Sequence, residues 1–447
     1  MTQSIIPRTI LVAVALGLLV RVGAFAAENH LPAFPGAEGF GAVTKGGRGG
    51  RVIKVTNLLA KGKGSLQAAC AAEGPRIIVF AVSGVIEGNI VIEHGEVSIL
   101  GQTAPGAGIT IAGSLATRYG ARQPINDVVV RFLRVRPPAA YGATGDALQF
   151  SENKRVILDH VSAAWASDET LDIYGAQDVT VQWCTLEESL TEGHPKGRHN
   201  FGLISGPNGA RVTLHHNLFA HHSRRCPAIA NGPADVRNNV VYNFRDGFGH
   251  ENDPNDQGYN VVGNYYKRGP SDPKIFPFCF RGTVSYYLRD NYIDSIGLIQ
   301  DPWAEADKLG GLRYYAQSGR KAGREFQVPQ VTTHAPDEAY QLVLREAGGL
   351  PRDAVTKRII DEVQTGTGSW GKKPQQDLLA GLTPGEAAQD TDADGLPDDW
   401  ETENQFDPQD AADSAQKLPS GRTAIERYAN ERAELLIAES RGTNPSR

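Results

Sequence analysis

The chain has 447 residues, a formal net charge of −6 and four cysteines. Length alone suggests two or three domains of ~150 residues, unless the fold is an elongated repeat. The charge balance excludes the strongly basic surface of a nucleic-acid binder. The acid is unevenly spread. Residues 386–416 hold eleven Asp and Glu and no Lys or Arg, and taking those eleven away turns −6 into +5 for the rest. A mildly basic body tolerates a polyanionic partner.

Residues 1–27 read as a secretory signal: Arg8 gives a charged start, residues 10–20 are apolar, and Ala24-Phe25-Ala26 offers a cleavage point. The apolar run is short of the ~20 residues that span a bilayer, so a secreted protein free of the membrane is expected. Export permits disulfides among Cys70, Cys184, Cys226 and Cys279 in any of three pairings. None has metal-like CxxC spacing.

Residues 34–60 are glycine-rich and read as irregular turns. KGGRGGR at 45–51 lacks the GxxxxGK[ST] pattern of a phosphate loop. Residues 65–73 read as a short helix capping the end of a stack. Strand-like runs then recur at 128–135, 156–161, 179–185, 212–219, 236–242, 259–266 and 284–292. Aligning their polar corners gives His160, Cys184, Asn217, Asn239, Asn264 and Asn291, with gaps of 24, 33, 22, 25 and 27 residues. Repeats of this size, with strands and no helical periodicity, predict a solenoid. The expected fold class is all-β, a right-handed parallel β-helix whose stacked coils share one core. Corner amides in register can hydrogen-bond from coil to coil. Residues 337–347 and 353–363 have helical spacing and are expected to lie on the coils. The domain reading is 28–366 for the β-helix, 367–385 for a linker, 386–432 for an acidic segment and 433–447 for a tail. A monomer is expected.

Three carboxylates stand out within 155–183. Asp159 sits in one strand-like run, while Asp168 and Asp172 lead into the next. If these strands stack, the three acids meet, and like charges that close require a cation. An all-oxygen ligand set suits a hard ion such as calcium. Glu169 lies beside them. His194, His199, His215, His216, His221 and His222 cluster in sequence, but neighbours on a strand point to opposite faces, so the HH pairs are not expected to chelate one ion. Trp165 and Tyr174 are candidate sugar platforms, with core packing the alternative for Trp165.

Several segments together carry a family resemblance: FPGAEGFGA, VTNL with GSL, RIIVF, GQTAPG, DHVSAAWASDET, HPKGRHNFG, HHNLFAHHSRRCP and the helix pair after Asp337. Over residues 34–366 the chain resembles the pectate lyases of polysaccharide lyase family one, in the variety common among exported bacterial proteins. The resemblance implies cleavage of polygalacturonate by calcium-assisted β-elimination, with Asp159, Asp168 and Asp172 as ligands. It implies Arg225, in Arg225-Cys226-Pro227, as the base, with Arg224 expected to point to the other side of the strand. It implies a lysine near the HNFG segment, for which Lys196 is the candidate and Arg198 the substitute. Asn200 holds the strictly aligned position. His194, Arg198 and His199 are expected to contact substrate. The family's second arginine, five residues after the base, is Ala230 here. The alternatives are a pectin lyase, which does without the acidic ligands, and a non-catalytic polysaccharide-binding β-helix. A hydrolase would need paired acids ~6.5–9.5 Å apart, and no second acid pair stands near Arg225.

The acidic segment carries a second pattern. Asp390, Asp392, Asp394, Gly395, Asp398 and Glu401 match a calcium loop, with the Leu396 carbonyl as a further ligand. Pro397 and the lack of an entering helix exclude a full helix-loop-helix, and a structural Ca2+ is expected there.

Overall fold

Each sequence repeat folds into one coil of three short strands. Lys154–Asp159, Ser162–Ala164 and Glu169–Asp172 form a typical coil. β-Branched and aliphatic residues favour the pleated strands. Phe132, His160, Trp183, His216 and Asn238 turn the chain between the first and second strands with φ of 51–55°. The computed structural model describes residues 31–118, 120, 123–138, 145–251, 254–255, 257–280, 284–305, 319–372 and 374–443. Among them the coils stack into parallel sheets of eleven, ten and eight strands, here the first, second and third sheets. The expected parallel β-helix is the fold. One pairing departs from it: Asn291–Ile293 runs antiparallel to Gly297–Ile299. The signal reading at 1–27 lies outside the described residues.

Parallel register puts one residue of each coil directly beside its equivalent in the next. Val128, Val156, Val179 and Val212 are successive partners in the first sheet, as are Val130, Leu158, Val181, Leu214 and Val236. All are buried, and they form aliphatic columns inside the solenoid. Burying each such side chain contributes about 1.5–3 kcal/mol. Toward the C-terminus the first of these columns becomes aromatic, with Tyr259 and Tyr286 stacked at 5.4 Å, while the second continues through Val261 and Leu288.

The corner asparagines form the expected ladder. Asn217 donates through its backbone and side-chain amides to Asn239 Oδ1 at 3.0 and 2.9 Å. Asn239 does the same to Asn264 at 2.9 and 3.0 Å, and Asn264 to Asn291 at 3.1 and 3.0 Å. The backbone amide of Cys184 donates to Asn217 Oδ1 at 2.9 Å. His160 does not continue this row as aligned. Val161 takes that place, its amide 3.4 Å from Cys184 Sγ. His160 belongs to the preceding column, stacked on Phe132 at 4.6 Å and on Trp183 at 6.2 Å.

The outer faces of two sheets are covered. Phe34 packs on Val129 and Ile157 of the first sheet. Gly41 lies so close to it that a Cβ would meet the Val156 carbonyl at 2.6 Å. Within the stretch read as irregular turns, Arg51–Val55 forms the first strand, paired with Arg76–Phe80. Helix Leu66–Cys70, capped by the Ser65 side chain, contributes Leu66, Ala69 and Cys70 to the interior. Helices Pro336–Glu346 and Ala354–Thr365 set Val343, Leu344, Ile359 and Val363 on Ala164, Leu218, Val240 and Tyr242 of the second sheet. Leu396, Ile425 and Ala429 lie on Ile77, Val79 and Leu100 of the first sheet. The last helix, Ala424–Ser440, runs through the boundary drawn at 432. Pro32–Arg447 form one compact unit. The four cysteines are free. Among the described residues no helix is long and apolar enough to cross a membrane.

Two outcomes follow for stability. Asn239→Ala removes a rung and leaves buried partners on both sides unsatisfied, so denaturant unfolding should show a loss of about 2–4 kcal/mol. Glu362 ties the second covering helix to His221 at 3.0 Å. Burial raises its pKa, but His221, Lys372 and Arg358 outweigh burial and bring it down to about 2. This depressed carboxylate contributes stability above its unfolded value, ~4.3, and that contribution is lost as pH falls through about 2. Glu362→Gln should therefore flatten the acid limb of a Tm-against-pH curve between those values.

Candidate functional site

Asp168 precedes the third-sheet strand Glu169–Asp172, and Asp172 ends it. The structure does not bring Asp159 to them. Asp159 ends a first-sheet strand, and a coil places its three strands on three different faces. Its carboxylate accepts from Arg131 Nε at 2.8 Å and from Gln182 Nε2 at 2.9 Å, and it pairs with His160 Nδ1 at 3.0 Å. Burial opposes ionisation there, but His160 and Arg131 hold the acid well below the usual carboxylate range. Arg131 in turn reaches Asn430 of the last helix at 3.0 Å and covers the Phe34 ring at 3.7 Å. Asp159 is thus part of the seam where both ends of the chain seal the first sheet.

The acid that joins Asp168 is Asp146, one coil earlier. Leu148 pairs with Leu171 and Gln149 with Asp172, so Asp146 falls opposite Glu169. The Glu169 amide donates to Asp146 Oδ1 at 3.0 Å. Oxygens of Asp146, Asp168 and Glu169 all lie within 4.8 Å of one another. Burial, then Asp172 and Asp168, push the Asp146 pKa well up. Burial also raises Asp172, against hydrogen bonds from the Tyr174 amide at 2.6 Å and Ser151 Oγ at 3.0 Å. Repulsion this strong marks a place for a cation, and an all-oxygen set fits calcium. The sequence signal for Asp146 was present, since Asp-Ala-Leu-Gln-Phe at 146–150 repeats Glu-Thr-Leu-Asp-Ile at 169–173.

Arg225 faces this cluster from two coils further on, across the coil that carries Phe201. Phe201 pairs with Glu169 on one side and bridges to Arg224 on the other. The Arg225 guanidinium lies over the Phe201 ring at 4.2 Å, pairs with Glu169 and lies 3.6 Å from Glu251. Burial lowers its pKa, while Glu251, Asp168 and Asp146 act to raise it. Arg224 does not turn to the far side as strand alternation predicts. Arg225 has φ of 60°, which breaks the alternation, and Arg224 reaches Asp246 at 3.1 Å and the same Glu251 at 3.0 Å. Ala230 is buried, and its carbonyl accepts from Tyr259 Oη at 2.8 Å.

The loop before Phe201 places its residues unequally. His194 Nε2 and His199 Nε2 each lie 3.4 Å from an Asp168 oxygen. Lys196 is exposed, and its backbone amide donates to His194 Nδ1 at 3.2 Å. The Arg198 guanidinium lies 5.5 Å from the Trp370 ring, beside a cavity of about 680 Å³. Asn200 is buried and ties the loop to Ser189 and Ser223. Trp165 is buried under the covering helices, with Nε1 donating to Glu188 at 2.8 Å, so it is a core residue and not a sugar platform. Tyr174 is exposed. Of the HH pairs, His221 and His222 diverge as expected, to Glu362 and to Ser189, while His215 and His216 do not. His215 Nδ1 and His216 Nδ1 are 2.9 Å apart, because His216 occupies the left-handed corner.

At the acidic segment, Asp390, Asp392 and Asp394 converge, and Asp394 also converges with Glu401 and Asp413. Asp398 turns away and accepts from the Thr391 amide and hydroxyl at 2.7 Å each. Leu396 is buried, its amide donating to Asp394 Oδ1 at 2.8 Å. Asp413 lies outside the loop pattern, so spacing alone did not reveal it. Both Glu401 carboxylate oxygens are buried without a hydrogen-bond partner, as are Asp390 Oδ1, Asp392 Oδ2 and Asp413 Oδ1. Burial and the neighbouring aspartates push Glu401 up to about 8 and Asp394 up to about 6. Gly395 makes the sharp turn at φ 101°, and Lys54 Nζ of the first strand holds Asp390 at 2.5 Å.

No family model matches the chain. Curated relatives do. It is 38% identical to the probable pectate lyase C of Neosartorya fischeri over 429 residues, covering 92% of this chain and 97% of that protein. It is 37% identical to the probable pectate lyase C of Aspergillus fumigatus over 430 residues, with the same coverage. Among solved structures, a thermostable pectate lyase, PL 47, matches with a TM-score of 0.52 and 15% identity over 71% of this chain and 97% of its own, which supports the fold. With its length nearly matched by relatives of this identity, the chain belongs to the pectate lyase family.

Proposed function

We propose that this pectate lyase is exported and cleaves (1,4)-alpha-D-galacturonan by calcium-assisted β-elimination, with Arg225 as the base. The observation that carries the reading is the Arg225 guanidinium set against the cluster of Asp146, Asp168 and Glu169, with Asp172 ending the same strand. Asp146, Asp168, Glu169 and Asp172 would hold the ion. When bound, calcium would neutralise the uronate carboxylate and spread the charge that develops beside it. Arg225, as the neutral guanidine favoured by its burial, takes the proton next to that carboxylate. The electron pair forms the new carbon–carbon double bond, and the glycosidic oxygen leaves with the broken bond's electrons. Guanidine is a strong base, with an ordinary pKa above ~12, and a weak carbon acid needs one. His194 and His199 orient Asp168 at the rim, where they border the substrate path. Lys196 and Arg198 supply cations along the loop. A methyl-esterified uronate presents no charge to such an ion, so the retained carboxylates favour the acid polymer over pectin. Turnover, rather than binding alone, is supported by kinship with lyases over nearly the whole chain.

The test follows the ultraviolet absorbance of the conjugated uronide from polygalacturonate. The signal should appear in calcium and vanish with chelator; absence in calcium overturns the lyase reading, and indifference to chelator overturns the calcium role. Arg225→Lys should lower kcat by about 10²–10⁴ with unchanged circular dichroism. Retention of near-normal turnover would reassign the base.

We further propose that Asp390, Asp392, Asp394, Leu396, Glu401 and Asp413 hold a second, structural Ca2+, with Asp398 acting at one remove. Calcium should raise the Tm of the native chain. In Asp413→Asn the apo protein should melt higher, because one repelling charge is gone, and the calcium-induced rise should shrink by more than half. Equal calcium-induced rises in both proteins would exclude Asp413 from the site.

A further inference from the structure

The loop at 194–199 carries a geometry beyond what orienting Asp168 requires. His194 and His199 are five residues apart, outside any strand, so the divergence rule for neighbouring strand residues does not apply to them. Their rings lie 3.6 Å apart, and both Nε2 atoms converge on the two oxygens of Asp168 at 3.4 Å. That separation exceeds an ordinary N–H···O bond of ~2.7–3.2 Å. Each imidazole thus stands from its own Asp168 oxygen at close to the ligand-to-ligand edge, about 3.3–3.4 Å, of a tetrahedron with bonds of ~2.0–2.1 Å. All three donors fall within 4.8 Å of one another.

The hydrogen bonds fix where one proton sits. His199 Nδ1 faces the Gly197 carbonyl at 3.0 Å, and a carbonyl only accepts, so Nδ1 carries the proton. In the neutral ring Nε2 is then a bare lone pair aimed at a carboxylate. That arrangement is repulsive unless a proton or a metal ion stands between them. An imidazole whose far nitrogen donates to a backbone carbonyl is also the usual support of a metal-bound histidine. His194 is set differently, since the Lys196 amide donates to its Nδ1 at 3.2 Å. Ligation through Nε2 requires that contact to open.

We infer that Asp168, His194 and His199 form a binding site for a transition-metal dication of the zinc class, distinct in chemistry from the all-oxygen cluster beside it. Two imidazoles and one carboxylate suit zinc, cobalt or copper rather than calcium, and three protein ligands leave a fourth position open. Asp168 belongs to both sets. An ion on the histidines therefore draws Asp168 from the calcium cluster, and zinc should slow the lyase in competition with calcium. That last consequence rests on the proposed function; the site itself does not.

Cobalt(II) is the direct probe, because tetrahedral cobalt absorbs strongly in the visible and cobalt in all-oxygen octahedral sites only weakly. The full-length chain freed of calcium should take one equivalent with the intense bands, and added calcium should weaken that uptake. His194→Gln and His199→Gln should each weaken that binding at least ~100-fold, beyond what loss of an outer-shell partner costs. Absence of intense bands, or their persistence in both variants, overturns the site. Should a variant fail to fold, the native chain still decides. One equivalent of zinc should protect His194 and His199 from carbethoxylation in peptide mapping, and equal labelling with and without zinc overturns the proposal. A chain that eliminates pectate in calcium yet takes up no cobalt removes this inference alone.

Discussion

Parallel register is the constraint on which everything else rests. A side chain on the solenoid has for its neighbours the equivalent residues one coil before and one coil after. The asparagine ladder from Asn217 to Asn291 holds that register through buried side-chain amides, each bonded to the next coil. Slippage by one residue would strand every rung, and unsatisfied buried amides are costly. The same register sets Asp146 opposite Glu169, and Phe201 between Glu169 and Arg224. The acid cluster and the guanidinium therefore meet because the coils are held in step.

The fold was legible because each repeat states its own period, and the corner amides mark it. The site was legible in part. Asp168, Asp172 and Arg225 stand in long motifs, and the structure places them on one face. Asp159 lies apart from Asp168 because nearness in sequence is not nearness in space here: a coil sends strands nine residues apart to different faces. Asp146 shows the converse. It is distant in the chain, and only aligning 146–150 with 169–173 makes it a neighbour. Arg224 and His216 exposed a further limit. Alternation of faces holds within a strand and fails where a left-handed residue turns the corner.

The acidic segment shows what spacing can and cannot give. The loop pattern depends on short-range geometry, so Asp390, Asp392, Asp394 and Glu401 could be read from it. Asp413 arrives from a separate turn, tied back through the Ser414 amide to Asp394 at 3.2 Å. The segment is also joined to the β-helix by apolar packing and by Lys54. Charge at this loop is thereby coupled to the first coils of the solenoid.

The distribution of coverings has a consequence for how a polymer meets this protein. Terminal segments occupy the outside of the first sheet, and two helices occupy the outside of the second. Among the described residues the third sheet keeps its outer face free of such packing, and the acid cluster and Arg225 lie there. A chain lying across these strands advances one coil for each ~4.8 Å travelled along the axis, a step comparable with a single hexuronate unit. A polymer lying that way would meet a surface whose repeat is set by the coils, so successive units would fall into environments that differ by which rung of the solenoid they touch.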